Sequence, residues 1–301
     1  MLNFTILIFS VYIFKKFYYN HIEYYGQICK YRKIKDFTRW ILSDKFIAKE
    51  YAKINNFDVA KTFQIVKYPH QINFDNLPNN YVIKPIDLCD SAGIYFVKNN
   101  KCIKTNKIID KKNIIFQLTK LRAIIDQQYY MHDLMFDGKI PYQGYIVEEL
   151  LLDNNCIPND YKFYTFGGRI YFIAITYNRK TIDKQQTFDS VWLNRNWEPI
   201  NISMIKNGYK YSKNIKKPDN YLEILNKVEN ISKKLNRHCR IDIYIIRNKI
   251  YLGEFTFFCG ATLHTFICNF ILGIIWLFNK DCYKFNDPNL NKLIPKYYNK
   301  I

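Results

Sequence analysis

Two short runs late in the chain carry its most distinctive acidic chemistry: Arg240-Ile241-Asp242 and, past a turn, Gly253-Glu254-Phe255-Thr256. Both lie in otherwise apolar stretches with the pattern of a hairpin. An ionised carboxylate buried there loses much of its solvation energy unless it is paired. Two of them close together raise one pKa unless a cation sits between them. A divalent metal with hard oxygen ligands meets that need, and Mg2+ carrying phosphates is the common case. The alternative is that both acids lie on the solvent face of an edge hairpin. Register bears on the choice. Glu254 and Thr256 share a face by the two-residue period of a strand. A three-residue loop, Arg247-Asn248-Lys249, sets Asp242 opposite Glu254, whereas a strict two-residue loop puts the acids on opposite faces. A shared metal site therefore requires an odd loop or a bulge, and Asn248 tolerates the left-handed conformation of such loops.

Three weaker features accompany the acids. Val82-Ile83-Lys84-Pro85 ends a short strand and is followed by Asp90-Ser91-Ala92-Gly93 and a further strand, Ile94 to Lys98. The Lys84 ammonium and the amides of that small-residue loop would suit phosphates. A surface lysine is the plain alternative, and no P-loop spacing occurs anywhere in the chain. Ile146 to Leu150 runs an apolar strand into Glu148 and Glu149, and Asp160-Tyr161-Lys162-Phe163 leads into a turn at Gly167-Gly168. No Ser/His/Asp or Cys/His arrangement for nucleophilic catalysis stands out, so His132, His238 and His264 are read as structural.

The elements that must position these residues alternate between helix and strand without long polar gaps, as in an α+β protein. Residues 36–54 read as helical, with Ser43 or Asp44 capping the second half. Residues 111–135 form a helix, Tyr145 to Leu152 a strand, and Tyr161 to Thr176 a hairpin. A helix over 219–237 places Leu222, Leu225, Val228, Ile231 and Leu235 at helical spacing. At 301 residues, the chain can bury a real core. Its net charge of +19 comes from scattered lysines without a dense basic block. That pattern fits AT-rich codon usage with an anionic substrate and argues against a nucleic-acid surface. The eight cysteines show no metal spacing and read as free thiols of a reducing, cytoplasmic compartment. Two apolar stretches, Leu2 to Phe14 and Thr265 to Phe278, fall short of the roughly 20 residues of a spanning helix. The second reads as a buried helix. For the first, a peripheral membrane anchor and a packed first helix both stay open. The chain thus divides into an apolar and basic segment (1–35), a main domain (36–262) and a hydrophobic helix with a basic tail (263–301).

The order of the pieces is more specific than any one of them. LSDKFIAKEYAK at 42–53, NFDNLPNNYVIKP at 73–85, YIVEELL at 145–151, PNDYKFYTFGGRIYFI at 158–173 and RIDIYIIRNKIYLGEFTFFCGA at 240–261 together resemble the teichuronopeptide-biosynthesis (TupA-like) branch of the ATP-grasp superfamily. The resemblance covers roughly residues 40–262. It implies two α+β lobes clamping ATP between antiparallel sheets. It also implies an ATP-dependent carboxylate–amine or carboxylate–thiol ligase that acts through an acyl-phosphate on a glycan- or peptide-like polymer. By the resemblance, Lys84 contacts the ATP phosphates together with Ser91 and Gly93 of the loop. The backbone of Glu148, Glu149, Leu150 and Leu151 forms the adenine hinge. Asp242 and Glu254 hold Mg2+ with Thr256 beside the metal, and Lys162 and Arg240 neutralise charge on the transferring phosphoryl group. Two segments depart from the family. The loop from Ile86 to Gly93 has one glycine and two acids where the family is glycine-rich, and those acids should repel phosphates. Gly260-Ala261-Thr262 stands where the family has Gly-Ser-Gly. ATP binding is thus a firmer expectation than turnover. A degraded ATP-grasp protein that binds nucleotide, and a basic protein binding membrane or nucleic acid, are the alternatives.

Overall fold

The computed structural model describes residues 12–32, 41–88, 92–136, 143–182, 185–206, 215–257, 263–279, 287–290 and 292–293. Ser91, Cys89, Asp90, Gly260-Ala261-Thr262 and the start of the N-terminal apolar run lie outside the described residues. Two antiparallel five-stranded sheets make the framework. The first contains β1 (Thr62–Val66), β2 (Asn80–Pro85), β3 (Tyr95–Lys98), β4 (Lys101–Cys102) and β5 (Tyr145–Glu149), in the order β1-β5-β2-β3-β4. The second contains β6 (Asp160–Phe166), β7 (Arg169–Ile182), β8 (Gln185–Asn194), β9 (Cys239–Ile246) and β10 (Lys249–Thr256), in the order β10-β9-β6-β7-β8.

Among the described residues, five α-helices of nine residues or more cover these sheets: α1 (Tyr24–Arg32), α2 (Lys45–Ile54), α3 (Lys111–Phe136), α4 (Tyr221–Leu235) and α5 (Phe266–Phe278). Ile114 and Leu118 of α3 pack with Tyr81, Ile83, Val97 and Val147 over the first sheet. The second sheet is covered on both faces. Odd-numbered Tyr161, Phe163, Ile241 and Ile243 meet α2 and α4, while even-numbered Tyr164 and Phe166 meet Tyr24 of α1 and Leu272 and Trp276 of α5. Strand alternation makes this division. The inner face of α4 is Tyr221, Ile224, Leu225, Val228, Ile231 and Leu235. Leu222, which the spacing assigns to that face, is instead 75% exposed; Ile224 and Tyr221 take the place it would fill.

Helix α2 begins where the sequence expects. The Asp44 carboxylate accepts from the amides of Phe46 at 2.8 Å and Ile47 at 3.0 Å, satisfying donors that the first turn leaves free. The turn between β6 and β7 uses Gly167 and Gly168 at φ 56° and 82°, a region closed to most side chains. His238 and His264 are buried. His238 lies 2.6 Å from the Tyr24 hydroxyl, and burial pushes His264 down to about 3, which suits a neutral, structural imidazole at His264. The described cysteines, Cys29, Cys102, Cys156, Cys239 and Cys268, are free thiols. Among the described residues no helix is long and apolar enough to cross a membrane.

Candidate functional site

The hairpin of β9 and β10 answers the register question by its second route. The loop is only Arg247-Asn248, both left-handed at φ 49° and 63°, and Ile246 pairs with Lys249. Pairing then shifts between Leu252 and Glu254, so that Glu254 stands opposite Asp242. Gly253 is the extra residue. Burial follows the same shift: Ile250 and Leu252 face the α2/α4 core before the bulge, and Phe255 and Phe257 face it afterwards. The bulge therefore flips the strand's phase and moves Glu254 and Thr256 to the face of Arg240, Asp242 and Lys162. A side chain at 253 would bring a Cβ to 3.0 Å from the Asp242 carbonyl oxygen and 3.2 Å from the Tyr244 ring. Only glycine fits there without a shift.

The five side chains on this face form one network, which Asp160 extends. The Arg240 guanidinium donates from Nε to Asp242 Oδ1 at 2.7 Å and from one terminal nitrogen to Asp242 Oδ2 at 2.7 Å. The same nitrogen reaches Glu254 Oε1 at 3.0 Å and Thr256 Oγ1 at 3.1 Å. Thr256 donates to Glu254 Oε1 at 2.9 Å. Lys162 bridges Asp160 at 2.5 Å and Asp242 at 2.8 Å. The cation that two facing carboxylates require is thus supplied by the chain itself, from a residue two places before Asp242 on the same strand face. Burial pulls the Lys162 ammonium down, but Asp160 and Asp242 outweigh it and hold it above its ordinary value. Enclosure pushes the Glu254 carboxyl up, and the charges of Arg240, Lys162 and Lys45 outweigh that and hold it low. Glu254 nonetheless keeps 48% of its side chain open, against 4% for Asp242.

A second cluster sits on the first sheet. Glu148 is held between Lys84, ion-paired through Oε1, and Lys49, at 2.6 Å from Oε2. Lys49 also donates to the Ala60 carbonyl at 2.6 Å and Thr62 Oγ1 at 2.9 Å. Burial raises the Glu148 carboxyl, yet Lys84 and Lys49 outweigh it and keep the group below the usual carboxylate range. Lys49 is pulled down by burial despite Glu148. Glu149 points outward, with its carboxylate accepting from the Lys61 amide at 3.2 Å, while Leu150 is buried and Leu151 half-buried.

Lys45 joins the two clusters. It donates to the carbonyls of Ile86 and Leu88 in the loop after β2. Its ammonium is pulled down by burial, and it feels Glu254 of the second sheet and Lys84 of the first. Lys45 and Lys49 stand one turn apart on α2, hence on one face. Neither was singled out by sequence reasoning. The signal available was Lys49 inside the apolar stripe of Ile47, Ala48, Tyr51 and Ala52, since a lysine there needs a buried partner.

Expected repulsion by the loop acids is corrected for Asp87. Arg122 of α3 grips it with two hydrogen bonds of 2.7 Å, and the Asp87 side chain is 2% exposed. Its charge is spent on a bidentate pair. Gly93 adopts φ 68°, and a Cβ there would meet Leu121 at 2.8 Å and Pro85 at 2.9 Å. The structure therefore gives Gly93 a packing reason to be glycine.

Comparison with known proteins agrees with this architecture. The profile of the TupA-like ATPgrasp family matches residues 27–270. The chain belongs to the TupA-like ATP-grasp family. Several ATP-grasp ligase structures are similar to this member of the family at low identity. The ATP complex of D-alanine–D-alanine ligase from Bacillus anthracis is 14% identical, with 74% of this chain and 59% of that one covered at a TM-score of 0.42. L-amino acid ligase from Bacillus licheniformis is 10% identical, with 73% and 41% covered and a TM-score of 0.42. The ligase PsnB with Mg and ADP is 12% identical, with 79% and 58% covered and a TM-score of 0.43. This chain thus spans well under two thirds of the length of these ligases. Comparison with curated proteins returns no match. The fold assignment rests on the family match and the two-sheet topology. Membership supports an ATP-dependent ligase in general terms.

Proposed function

We propose that the face shared by Asp242, Glu254, Arg240 and Lys162, together with Lys84 and Lys45, binds ATP with Mg2+ and activates a carboxylate for attack by an amine. The observation that carries this reading is the bulge at Gly253, which sets Asp242 opposite Glu254 beside three cations. Two carboxylates suit Mg2+, which keeps waters and takes its remaining ligands from phosphates. Asp242 and Glu254 would hold the ion, which would supply charge neutralisation at the phosphates. Arg240 now fills that role between the two acids and would turn to the phosphoryl oxygens as nucleotide enters.

The remaining roles follow from charge. Lys84 and Lys45 attract the phosphates, with Glu148 fixing the Lys84 ammonium and Lys45 tied to the loop carbonyls. Lys162 and Arg240 stabilise charge on the transferring group, as phosphoryl transfer relies on positioning and electrostatics. A substrate carboxylate oxygen would attack the terminal phosphorus as its bond to the bridging oxygen of the leaving ADP breaks. The amine would then displace phosphate from the acyl carbon and lose a proton. Neutralisation of Asp87 by Arg122 removes one argument for a degraded enzyme. Glycan- or peptide-like polymers remain the acceptor class that the family resemblance suggests.

Melting of the full chain with ATP, with and without Mg2+, tests the reading. Nucleotide at about 100 times its Kd adds roughly 2.7 kcal/mol, a clear rise in Tm that should be larger with Mg2+. Folded protein that shows no shift with any nucleoside triphosphate contradicts it.

A further inference from the structure

Among the described residues, the solvent side of α5 carries no polar cover. Its thirteen residues contain no charged side chain, and Phe266, Ile267, Phe270 and Phe278 are 66%, 48%, 41% and 80% exposed. The sequence reads this segment as a buried helix, but only Cys268, Asn269, Leu272, Gly273 and Trp276 are buried. A surface helix normally turns polar residues outward. Beside it runs a second exposed apolar segment, helical over residues 12–17, with Phe14 66% and Phe17 54% exposed. The two form one surface. Tyr18 lies 5.3 Å from the Phe266 ring and 6.2 Å from the Phe270 ring. Gln27 of α1 donates to the carbonyls of Ile22 at 2.9 Å and Gly273 at 3.0 Å. A Cβ at Gly273 would strike Ile22 O at 1.7 Å, so glycine permits the close crossing.

Charge selects the occupant. Lys15 and Lys16 are exposed within the apolar segment. Between residues 12 and 32 four basic residues, Lys15, Lys16, Lys30 and Arg32, stand against one acid, Glu23. A second copy would bring the same lysines, on a chain of net charge +19, face to face. An anionic bilayer surface instead accepts both the aromatic side chains and the ammonium groups. We propose that this paired helical surface rests on anionic lipid, with α5 and residues 12–17 in the interfacial plane. A helix of thirteen residues lies on a bilayer and does not cross it.

Co-sedimentation of the full chain with vesicles of phosphatidylcholine alone, or mixed with phosphatidylglycerol, tests this. Binding should appear on the mixed vesicles, fall with added salt and be weak on the neutral ones. Lys15→Ala with Lys16→Ala should lower the partition about 25-fold, taking about fivefold per lysine. Phe278→Ser should lower it about tenfold. Both variants should melt like the parent, because the substituted groups are exposed. Equal binding to neutral vesicles, variants that bind like the parent, or a folded parent that stays off both vesicles would overturn the proposal. So would a salt-insensitive dimer that Phe278→Ser dissociates while vesicle binding is absent.

Discussion

The protein holds two carboxylate clusters, one on each sheet, and they are built for different ends. Glu148 is enclosed, with a lysine on each oxygen and 6% of its side chain open. Each oxygen of such a site is already paired to a cation. Asp242 and Glu254 share one arginine, and Glu254 keeps half of its side chain in solvent. That network is a closed circuit with one accessible member. On the proposed reading, ligand exchange belongs at the second cluster, while the first fixes where Lys84 and Lys49 point. The contrast also corrects the expectation that facing acids repel in the ligand-free protein: Arg240 already separates them.

The largest effect should come from the enclosed cluster. Glu148→Gln leaves the buried Lys49 ammonium and the half-buried Lys84 ammonium without their shared carboxylate and should cost about 3 kcal/mol, read from chemical denaturation without ligand. The pH dependence sharpens the point. The Glu148 carboxyl is held below its ordinary value of 4.5, so its contribution is complete above that value and lost as pH falls toward the folded pKa. The parent should therefore lose more stability on acidification from neutral pH than Glu148→Gln does.

Asp242→Asn should cost about 2 kcal/mol without ligand, since the amide nitrogen that replaces one oxygen cannot accept from Arg240 or Lys162 and both cations lose the Asp242 charge. A variant as stable as the parent would show that the network carries no stability. Gly253→Ala should cost about 1 kcal/mol, because the carbonyl 3.0 Å from its Cβ belongs to the paired strand. It should also weaken Mg2+-dependent nucleotide binding by displacing Glu254. Unchanged binding in a folded Gly253→Ala protein would detach the bulge from the site.

Much of this was legible in the chain. The two-residue period puts Arg240 beside Asp242 and Glu254 beside Thr256, and the parity argument demands either an odd loop or a bulge. It does not say which, because Asn248 serves loops of either length and Gly253 declares a bulge only once its neighbours are known. Lys49 and Glu148 are 99 residues apart, and no local pattern pairs them. The grip of Arg122 on Asp87 is hidden for the same reason, so a loop acid that looks repulsive proves neutralised. The apolar run of α5 reveals burial in general, but not that half of the helix stays uncovered.

The most direct test of the account compares the Mg2+ dependence of ATP affinity in the parent, Glu254→Gln and Lys53→Ala, the last an exposed lysine paired with Glu50, one turn beyond Lys49 and outside the Asp242/Glu254 network. Without ligand, Glu254→Gln should stay folded and cost about 1 kcal/mol, since it loses the charge paired with Arg240 but keeps one acceptor oxygen at a half-exposed position. The account predicts that Mg2+ tightens ATP binding in the parent and in Lys53→Ala and does so at least tenfold less in Glu254→Gln. Equal Mg2+ enhancement in all three proteins would contradict it.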